Sequence, residues 1–342
     1  MYFGITMLFL SIVHCNLIGF DFGSSFFKIT LVKPGSPFSI VENVSTKRKT
    51  ETMLTIPVDD ARIFGMDSFQ EQSKHPRTSF HSLHRFIGVR HDDVALPDLI
   101  KDRYIMNGVT EDSRGFVAWL IEKRPFSNGS DPIEELFYTE ELIGQLFKYG
   151  RQMAEKQAGS TIKDCVITVP SYFTISQRRM LQDSADIAGL FVLQLVHENT
   201  AAATMFGIDR LDRDKDVNVL FYNMGAMDTE VSIVRYSTIT EMPANKTHEH
   251  VEILAEAWDK NMGGGDLDKI LLDMLATRFN SMKERKDKPD IRENPKAIKR
   301  LLKEVIKMKD ILSANKQVQV KLGELADYVT LSTIITRKEF EE

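Results

Sequence analysis

Two short glycine-containing segments, each flanked by β-prone residues, constrain the fold of this chain more than any other feature. The first covers residues 19–26 (Gly-Phe-Asp-Phe-Gly-Ser-Ser-Phe) and the second covers residues 220–231 (Leu-Phe-Tyr-Asn-Met-Gly-Ala-Met-Asp-Thr-Glu-Val). Each pattern predicts a strand, a tight turn and a second strand. Because the two halves of the chain open alike, we expect two similar α/β lobes whose turns face each other across a cleft.

The chemistry of these turns suits phosphate. Backbone N–H groups in such a turn form a concave site for phosphate oxygens. The carboxylate of Asp21 repels phosphate, but it can hold a hydrated Mg²⁺ that bridges to phosphate. A single turn of this kind is more typical of an ordinary hairpin, in which Ser24 and Ser25 only satisfy the turn backbone. The hypothesis of a phosphate clamp therefore depends on the other motifs.

Between and after the turns, strand-like and helix-like patterns alternate. Strands are predicted at residues 17–22, 26–32, 39–44, 53–58, 165–169, 192–196, 217–222, 230–236, 251–258 and within 316–335. Helices are predicted at 139–157, 177–188, 267–280, from 201 with Asn199 and Thr200 as caps, from 295 and from 337. We expect lobe I at 16–211, with an inserted subdomain at about 53–138, and an incomplete lobe II at 212–342, with an inserted subdomain from about 263.

Composition and the first residues bound the class of protein. A hydrophobic content of 42% and a charged content of 27% are ordinary for a soluble globular chain. The net charge of −5 gives no support to nucleic-acid binding, and no later segment predicts a membrane span. Residues 1–15 resemble a secretory signal peptide that lacks a basic start. The alternative, a first buried strand at 5–13, is disfavoured because residues 17–22 already supply that strand.

Cysteines and glycosylation sequons bear on the cellular compartment. Of the two cysteines, Cys15 falls in the predicted signal peptide, and Cys165 lies in an apolar strand, where a buried and inert thiol is expected. The chain therefore has no disulfide framework. Sequons at Asn43, Asn128 and Asn245 are candidate glycosylation sites, and with the signal they favour the secretory route.

A series of further motifs follows the first turn in a fixed order. They are Val-Ile-Thr-Val-Pro-Ser-Tyr-Phe at 166–173, His-Glu-Asn-Thr-Ala-Ala-Ala at 197–203, the second turn, the glycine-rich 262–268, and Leu-Ser-Ala-Asn at 312–315. From residue 17 to its end, the chain resembles the N-terminal ATPase domain of the seventy-kilodalton heat-shock chaperones. Its His-Glu-Asn-Thr and Leu-Ser-Ala-Asn variants look most like the large lumenal branch, the glucose-regulated or hypoxia up-regulated proteins. The resemblance implies an α/β, actin- and sugar-kinase-like two-lobed ATPase fold, with lobe II truncated at its C-terminus.

The resemblance also implies ligands and residue roles. ATP or ADP with Mg²⁺ would bind in the cleft, where Asp21 would hold the metal through water and Glu198 would position the attacking water or the metal shell. Nucleotide contacts would come from the two turns, from the start of a lobe II helix and from the long helix: Gly23, Ser24, Ser25, Phe26, Gly225, Ala226, Met227, Gly263, Gly264, Lys309 and Ser313. For two of these residues an ordinary structural role remains an alternative. Glu198 could complement the dipole at the start of a helix, and Lys309 could be a solvated surface lysine.

Several departures from the family pattern point towards slow hydrolysis. Hydrolytic members carry Asp at the position of Asn223 and Lys at that of His84, and a histidine is mostly neutral near pH 7. Losing one positioned charge costs on the order of a hundredfold in rate. Other changes affect the second turn, a following acidic position and the adenosine helix: Ala226, Met227, Asp228, Glu230, Ile306 and Asp310. We therefore expect nucleotide binding with weak or absent turnover, which leaves open whether the chain is an enzyme.

These implications give one leading function and two alternatives. The leading one is the ATP-binding domain of a stress-induced chaperone of the endoplasmic reticulum lumen, which would hold unfolded clients through further domains. The first alternative is a nucleotide-exchange factor or scaffold for the ordinary lumenal chaperone, with ATP in a structural role. The second is a small-molecule kinase of the same fold, for which we see no sugar pocket or catalytic carboxylate signature. No nucleic-acid or membrane partner is expected.

Overall fold

The computed structural model describes residues 16–58, 61–123, 133–210, 215–241 and 246–342. The predicted signal peptide at residues 1–15 and the sequons at Asn128 and Asn245 lie outside these ranges. In chain order the strands are β1 (Leu17–Phe22), β2 (Phe26–Val32), β3 (Ser39–Ile40), β4 (Thr50–Glu51), β5 (Leu54–Thr55), β6 (Ile63–Phe64), β7 (Ser79–Phe80), β8 (Gly108–Glu111), β9 (Val117–Lys123), β10 (Ile133–Tyr138), β11 (Asp164–Val169), β12 (Phe191–His197), β13 (Val217–Met224), β14 (Thr229–Glu241), β15 (Lys246–Asp259), β16 (Gln317–Ala326) and β17 (Val329–Thr336).

The helices, again in chain order, are α1 (Gly65–Glu71), α2 (Leu96–Asp102), α3 (Thr139–Ala158), α4 (Ile175–Ile187), α5 (Glu198–Arg210), α6 (Gly264–Asn280), α7 (Pro295–Ala314) and α8 (Arg337–Glu341). None of these helices is both long enough and apolar enough to cross a bilayer. Short 3₁₀ turns occur at Leu83–Arg85, Lys283–Arg285 and Ile291–Glu293.

The first half of the chain is built on a mixed sheet with the order β12-β11-β1-β2-β3. β1 and β2 form an antiparallel hairpin, and β1 runs parallel to β11. Alternate residues of β1 and β2 point into the core, as their alternating apolar pattern predicts. Phe20 and Phe22 both pack against Phe147 of α3, with ring centroids 4.8 Å apart in each case. These aromatic contacts pack β1, the strand that leads into the first turn, against α3.

Two small sheets, β6-β5-β7 and β10-β9-β8, lie between β4 and α3 in the chain. Trp119 of β9 is fully buried and meets Phe80 and Phe86 edge-on, at centroid distances of 5.6 and 5.1 Å. Its indole Nε1 donates a hydrogen bond to Thr139 Oγ1 (3.0 Å). Trp119 therefore joins this part of the chain to the start of α3.

The second half repeats the opening pattern and has its own core. β13, β14 and β15 form an antiparallel sheet, and β16 pairs with β17. The long helix α7 begins at Pro295, whose missing N–H is no loss at the first helical position, and the Asn294 side chain caps it by accepting from Ala297 N. Its apolar stripe packs against α6 in a core that includes Leu271, Leu275, Phe279, Leu301, Val305 and Met308.

The predicted strand at 39–44 is wrong beyond Ile40. The Asn43 side chain makes a turn there, because its Oδ1 accepts from the backbone N–H of Ser45 (2.9 Å) and of Lys47 (3.0 Å). Asn43 is buried, and its Nδ2 donates to Lys49 O (3.0 Å). A glycan on Asn43 would attach at this buried Nδ2, and glycosylation of Asn43 stays a prediction.

Two other predicted elements also differ. Only Leu54–Thr55 of the predicted strand 53–58 is extended and paired, and it belongs to a separate sheet. The helix expected from residue 201 begins at Glu198, so Asn199 lies inside its first turn rather than capping it. Asn199 instead donates from Nδ2 to Ser232 Oγ of β14 (3.0 Å), a long-range contact that replaces the local cap. The prediction for Cys165 is confirmed, since it is fully buried and burial raises the pKa of its thiol to about 12.

Candidate functional site

A cavity of about 1100 Å³ lies between the two halves of the chain, and both glycine turns open into it. The first turn contributes from the β1–β2 hairpin and the second from the β13–β14 hairpin. Most of the residues predicted from the sequence line this cavity: Asp21, Gly23, Ser24, Ser25, Phe26, Glu198, Asn223, Gly225, Ala226, Met227, Gly264 and Lys309. His84, Gly263 and Ser313 are not among its lining residues.

The first turn is held by short local contacts. Gly23 N donates to Phe26 O (3.1 Å), and a Cβ on Gly23 would lie only 2.8 Å from that oxygen, so the turn requires glycine. Asp21, at the end of β1, accepts from Thr168 Oγ1 through Oδ1 (3.2 Å). Its Oδ2 lies 2.5 Å from the ammonium Nζ of Lys28. These contacts fix the Asp21 carboxylate at the cavity wall.

His84 lies behind the first turn rather than in the cavity. Its Nδ1 is 3.3 Å from Ser24 Oγ, and its ring stacks on Phe173 at a centroid distance of 4.8 Å. Burial, assisted by the neighbouring charge of Arg85, lowers the pKa of His84 to about 3. The imidazole is therefore neutral, as expected, but it reaches the cavity only through the Ser24 hydroxyl.

The second turn is fastened to the start of α6. Gly225 N donates to Asp228 O (2.8 Å) within the turn, and Gly225 O accepts from Gly264 N (2.9 Å). Ala226 O accepts from Gly265 N (2.6 Å). Two of the first N–H groups of α6 therefore bind the turn itself, and the turn and helix form one unit.

Gly263 is the contact point between that helix and the turn. A Cβ on Gly263 would lie 2.6 Å from both the carbonyl carbon of Ala226 and the amide nitrogen of Met227. Distances below 3.0 Å to backbone atoms leave no room for a side chain. The resemblance implied nucleotide contacts for both Gly263 and Gly264; the structure places Gly263 against the backbone of the second turn and Gly264 on the cavity lining.

Glu198 and Asn223 lie together in the cavity, where Asn223 Nδ2 donates to Glu198 Oε2 (2.9 Å). Burial, followed by the charges of Asp228 and Asp21, raises the pKa of Glu198 to about 8, and the Asn223 hydrogen bond opposes this shift. Glu198 is therefore mostly protonated at neutral pH. In this state it carries no charge with which to orient water.

The Glu198 shift predicts a pH dependence of stability. The folded state keeps the Glu198 proton up to about pH 8, whereas the unfolded state loses it near 4.5, so this group makes stability fall as the pH rises between those values. Each unit of pKa difference corresponds to about 1.4 kcal/mol. We expect Glu198→Gln to raise the melting temperature at pH 8 and to leave it nearly unchanged at pH 4.5. Thermal melts of the unchanged chain and of Glu198→Gln between pH 4.5 and pH 8 test this prediction, with Glu42→Gln as a surface control. Equal melting temperatures of the unchanged chain and Glu198→Gln at pH 8 would contradict it.

Below the cavity, two acidic side chains join the halves. Glu230 Oε1 accepts from Ser171 N (2.8 Å) and from Ser171 Oγ (3.3 Å), in the loop that follows β11. Asp228 accepts a short hydrogen bond from the Tyr172 hydroxyl. The Asp228 side chain is therefore tied to Tyr172 in the first half of the chain, and its charge also contributes to the raised pKa of Glu198.

Of the two predicted residues on α7, only one faces the cavity. Lys309 Nζ donates to Gly264 O (3.0 Å) and lies 2.8 Å from Asp268 Oδ1. Ser313 is exposed, and its Oγ donates to Asp310 O of the same helix (2.6 Å). The structure therefore supports a site role for Lys309 more than for Ser313.

At the opposite rim, the end of α2 is bound to the second half of the chain. Arg103 forms an ion pair with Asp266 (2.8 Å), and the Tyr104 hydroxyl donates to Asp273 Oδ1 (2.8 Å). Lys299 of α7 is fully buried and donates to Tyr104 O (3.2 Å). Sequence reasoning missed these rim contacts, because no local pattern joins residues so far apart in the chain.

Sequence reasoning also missed the basic residues of the cavity wall. Lys28, Lys47 and Lys49 line the cavity beside the first turn. Lys49 Nζ lies 4.3 Å from the centre of the Phe26 ring. The position of Lys28 could have been predicted from the sequence, because the tight turn between β1 and β2 fixes a strand register in which Lys28 lies directly opposite Asp21.

Comparison with known proteins gives one consistent result. Residues 17–342 match the family model described as Hsp70 protein. Hypoxia up-regulated protein 1 of Danio rerio is 34% identical over 327 residues, which cover 94% of this chain and 32% of that protein. The Xenopus laevis protein of that name is 34% identical over 328 residues, which cover 94% of this chain and 48% of that protein. The Homo sapiens protein is 33% identical over 328 residues, which cover 94% of this chain and 31% of that protein. The chain thus spans less than half the length of these three relatives.

Proposed function

Since this chain belongs to the Hsp70 family, we propose that it is the nucleotide-binding unit of a large chaperone of that family. The observation that carries the proposal is the shared cavity of about 1100 Å³ into which both glycine turns open. A cavity of this size, with a few convergent polar groups, is typical of small-molecule sites. Two opposed turns supply backbone N–H groups to opposite sides of one polyphosphate.

The cavity groups fit a nucleotide with Mg²⁺. Asp21 is the residue that would hold the hydrated ion, which when bound neutralises phosphate charge. Burial is the main cause of the raised pKa of Glu198, and the carboxylates of Asp228 and Asp21 add to it; a cation bound near these two carboxylates would offset their charge. The first turn would cradle the terminal phosphates with Ser24 and Ser25, and Lys309 would approach from α7.

Three features support weak hydrolysis. Asn223 is neutral, and its amide holds Glu198. Glu198 is protonated near neutral pH and so is a poor base. His84 is uncharged and lies behind Ser24. Positioned charge is the main source of catalysis in phosphoryl transfer, and these three positions supply little of it.

Nucleotide binding and turnover test the proposal separately. Calorimetric titration of the chain with ADP is expected to show one site, and single-turnover ATP hydrolysis is expected to be about a hundredfold slower than in a hydrolytic Hsp70. Asn223→Asp restores one charge and is expected to speed the single turnover. Absence of ADP and ATP binding would refute the nucleotide site; a rate equal to that of the hydrolytic control would refute weak turnover.

For the whole protein, we propose a role in the endoplasmic reticulum lumen in assisting unfolded clients. The similarity to Hypoxia up-regulated protein 1 supports a chaperone induced by stress. A second candidate, exchange factor for the ordinary lumenal chaperone, is favoured by the neutral residues at Asn223 and His84. Measuring ADP release from that chaperone, with and without the full-length protein, distinguishes the two: acceleration supports the exchange role, and no change leaves only the client-holding role.

A further inference from the structure

Lys28 places a positive charge at the cavity wall beside the first turn. It lies opposite Asp21 in the β1–β2 register, and its Nζ is 2.5 Å from Asp21 Oδ2. The side chains of Lys28 and Asp21 are 52% and 42% exposed, and both residues line the cavity. The ion pair is therefore accessible to a ligand in the cavity.

The Asp21 carboxylate is already engaged on both oxygens. Oδ2 is paired with Lys28, and Oδ1 accepts from Thr168 Oγ1 (3.2 Å). A carboxylate that accepts two hydrogen bonds, one of them from an ammonium, has less charge to offer to a hydrated metal ion. At this point of the wall, the structure itself supplies the cation.

The surrounding wall strengthens this positive charge. Lys47 and Lys49 line the cavity next to Lys28, and Lys49 lies over the Phe26 ring of the first turn. Beside the turn, these three lysines outnumber the two carboxylates, Asp21 and Glu51. The excess of positive charge is local to this part of the wall, because over the whole lining six basic side chains are matched by six carboxyl groups.

We propose that the Lys28 ammonium neutralises the phosphates of a bound nucleotide, so that this chain binds nucleotide with little dependence on Mg²⁺. This inference rests on the proposed nucleotide site and revises the part of it that gives phosphate neutralisation to Mg²⁺ held by Asp21. A lysine ammonium has three N–H donors, and it can keep Asp21 while donating to a phosphate oxygen in the cavity. The flexible side chain of Lys28 allows it to follow the phosphate, and its exposure means that no core packing holds it back.

The test is calorimetric titration of ADP into the chain with excess Mg²⁺ and with EDTA. For the unchanged chain the two Kd values are expected to agree within about threefold. Lys28→Met is expected to raise the Kd in EDTA by about tenfold or more, the scale of one charge-assisted hydrogen bond. With Mg²⁺ the loss is smaller, because the freed Asp21 can hold the hydrated ion. Lys28→Arg is expected to restore binding in EDTA.

Lys307→Met is the matched control, since Lys307 is an exposed lysine of α7 that pairs with Glu304 outside the cavity. It is expected to leave both Kd values unchanged. Loss of ADP binding in EDTA by the unchanged chain, with binding intact in Mg²⁺, overturns the inference and leaves the proposed function standing. So does an unchanged Kd of Lys28→Met in EDTA. No binding of ADP in either condition overturns both.

Discussion

Gly263→Ala is expected to weaken ADP binding by about a hundredfold, the cost of misplacing a binding element by about 1 Å. The added Cβ would lie 2.6 Å from the backbone of Ala226 and Met227. The obstructing atoms belong to the backbone, so no side chain can move aside. The second turn must therefore shift away from α6, breaking its bonds with Gly264 and Gly265. Overpacking of this kind also costs about 1–3 kcal/mol of stability.

Gly323→Ala is the matched control for this substitution. Gly323 lies in β16, and no atom lies within 4 Å of the Cβ position. It is expected to change neither ADP affinity nor stability measurably. Calorimetric titration and thermal melts of both variants make the comparison. An ADP affinity of Gly263→Ala equal to that of Gly323→Ala would show that the second turn does not take part in binding.

Trp119→Ala is expected to lower the free energy of unfolding by about 3–5 kcal/mol, the range for removing a large aromatic side chain from a core. Trp119 is fully buried against Phe80 and Phe86, and its removal leaves the Thr139 hydroxyl without its indole donor. Because Phe86 follows the short turn Leu83–Arg85, the change also loosens the support of His84.

Urea denaturation measures this loss. Val94→Ala is the control, because Val94 is 94% exposed and its truncation is expected to change stability by less than about 0.5 kcal/mol. Trp119→Phe, which keeps an aromatic ring, is expected to recover part of the loss. An unfolding free energy for Trp119→Ala within error of Val94→Ala would contradict the description of this core.

The features predicted from sequence are those fixed by neighbouring residues. β1 and β2 begin and end where the alternating pattern placed them, because tight turns and alternation act over a few residues. The family resemblance and the α/β, two-lobed ATPase fold that it implies are confirmed, since the ordered motifs that carried them match the Hsp70 family over residues 17–342. The roles of the individual site residues and the lobe boundaries stay predictions.

The features that sequence reasoning missed depend on distant contacts. Asp228 accepts a hydrogen bond from the Tyr172 hydroxyl, which lies 56 residues away in the chain. Asn199 lies inside the first turn of α5 rather than at its cap, and its Nδ2 donates to Ser232 Oγ of β14, 33 residues away in the chain. No pattern within a short window contains such partners.

The rim described above has a mechanical consequence. The Tyr104 hydroxyl donates a hydrogen bond to Asp273 of α6, and the first residues of the same helix hydrogen-bond to the second turn. The rim contacts reach α6 at Asp266, in its first turn, and at Asp273, near its middle, so that α6 joins the rim to the second turn. If a ligand binds at the second turn and a partner protein binds at the rim, each would change the affinity for the other by the same factor.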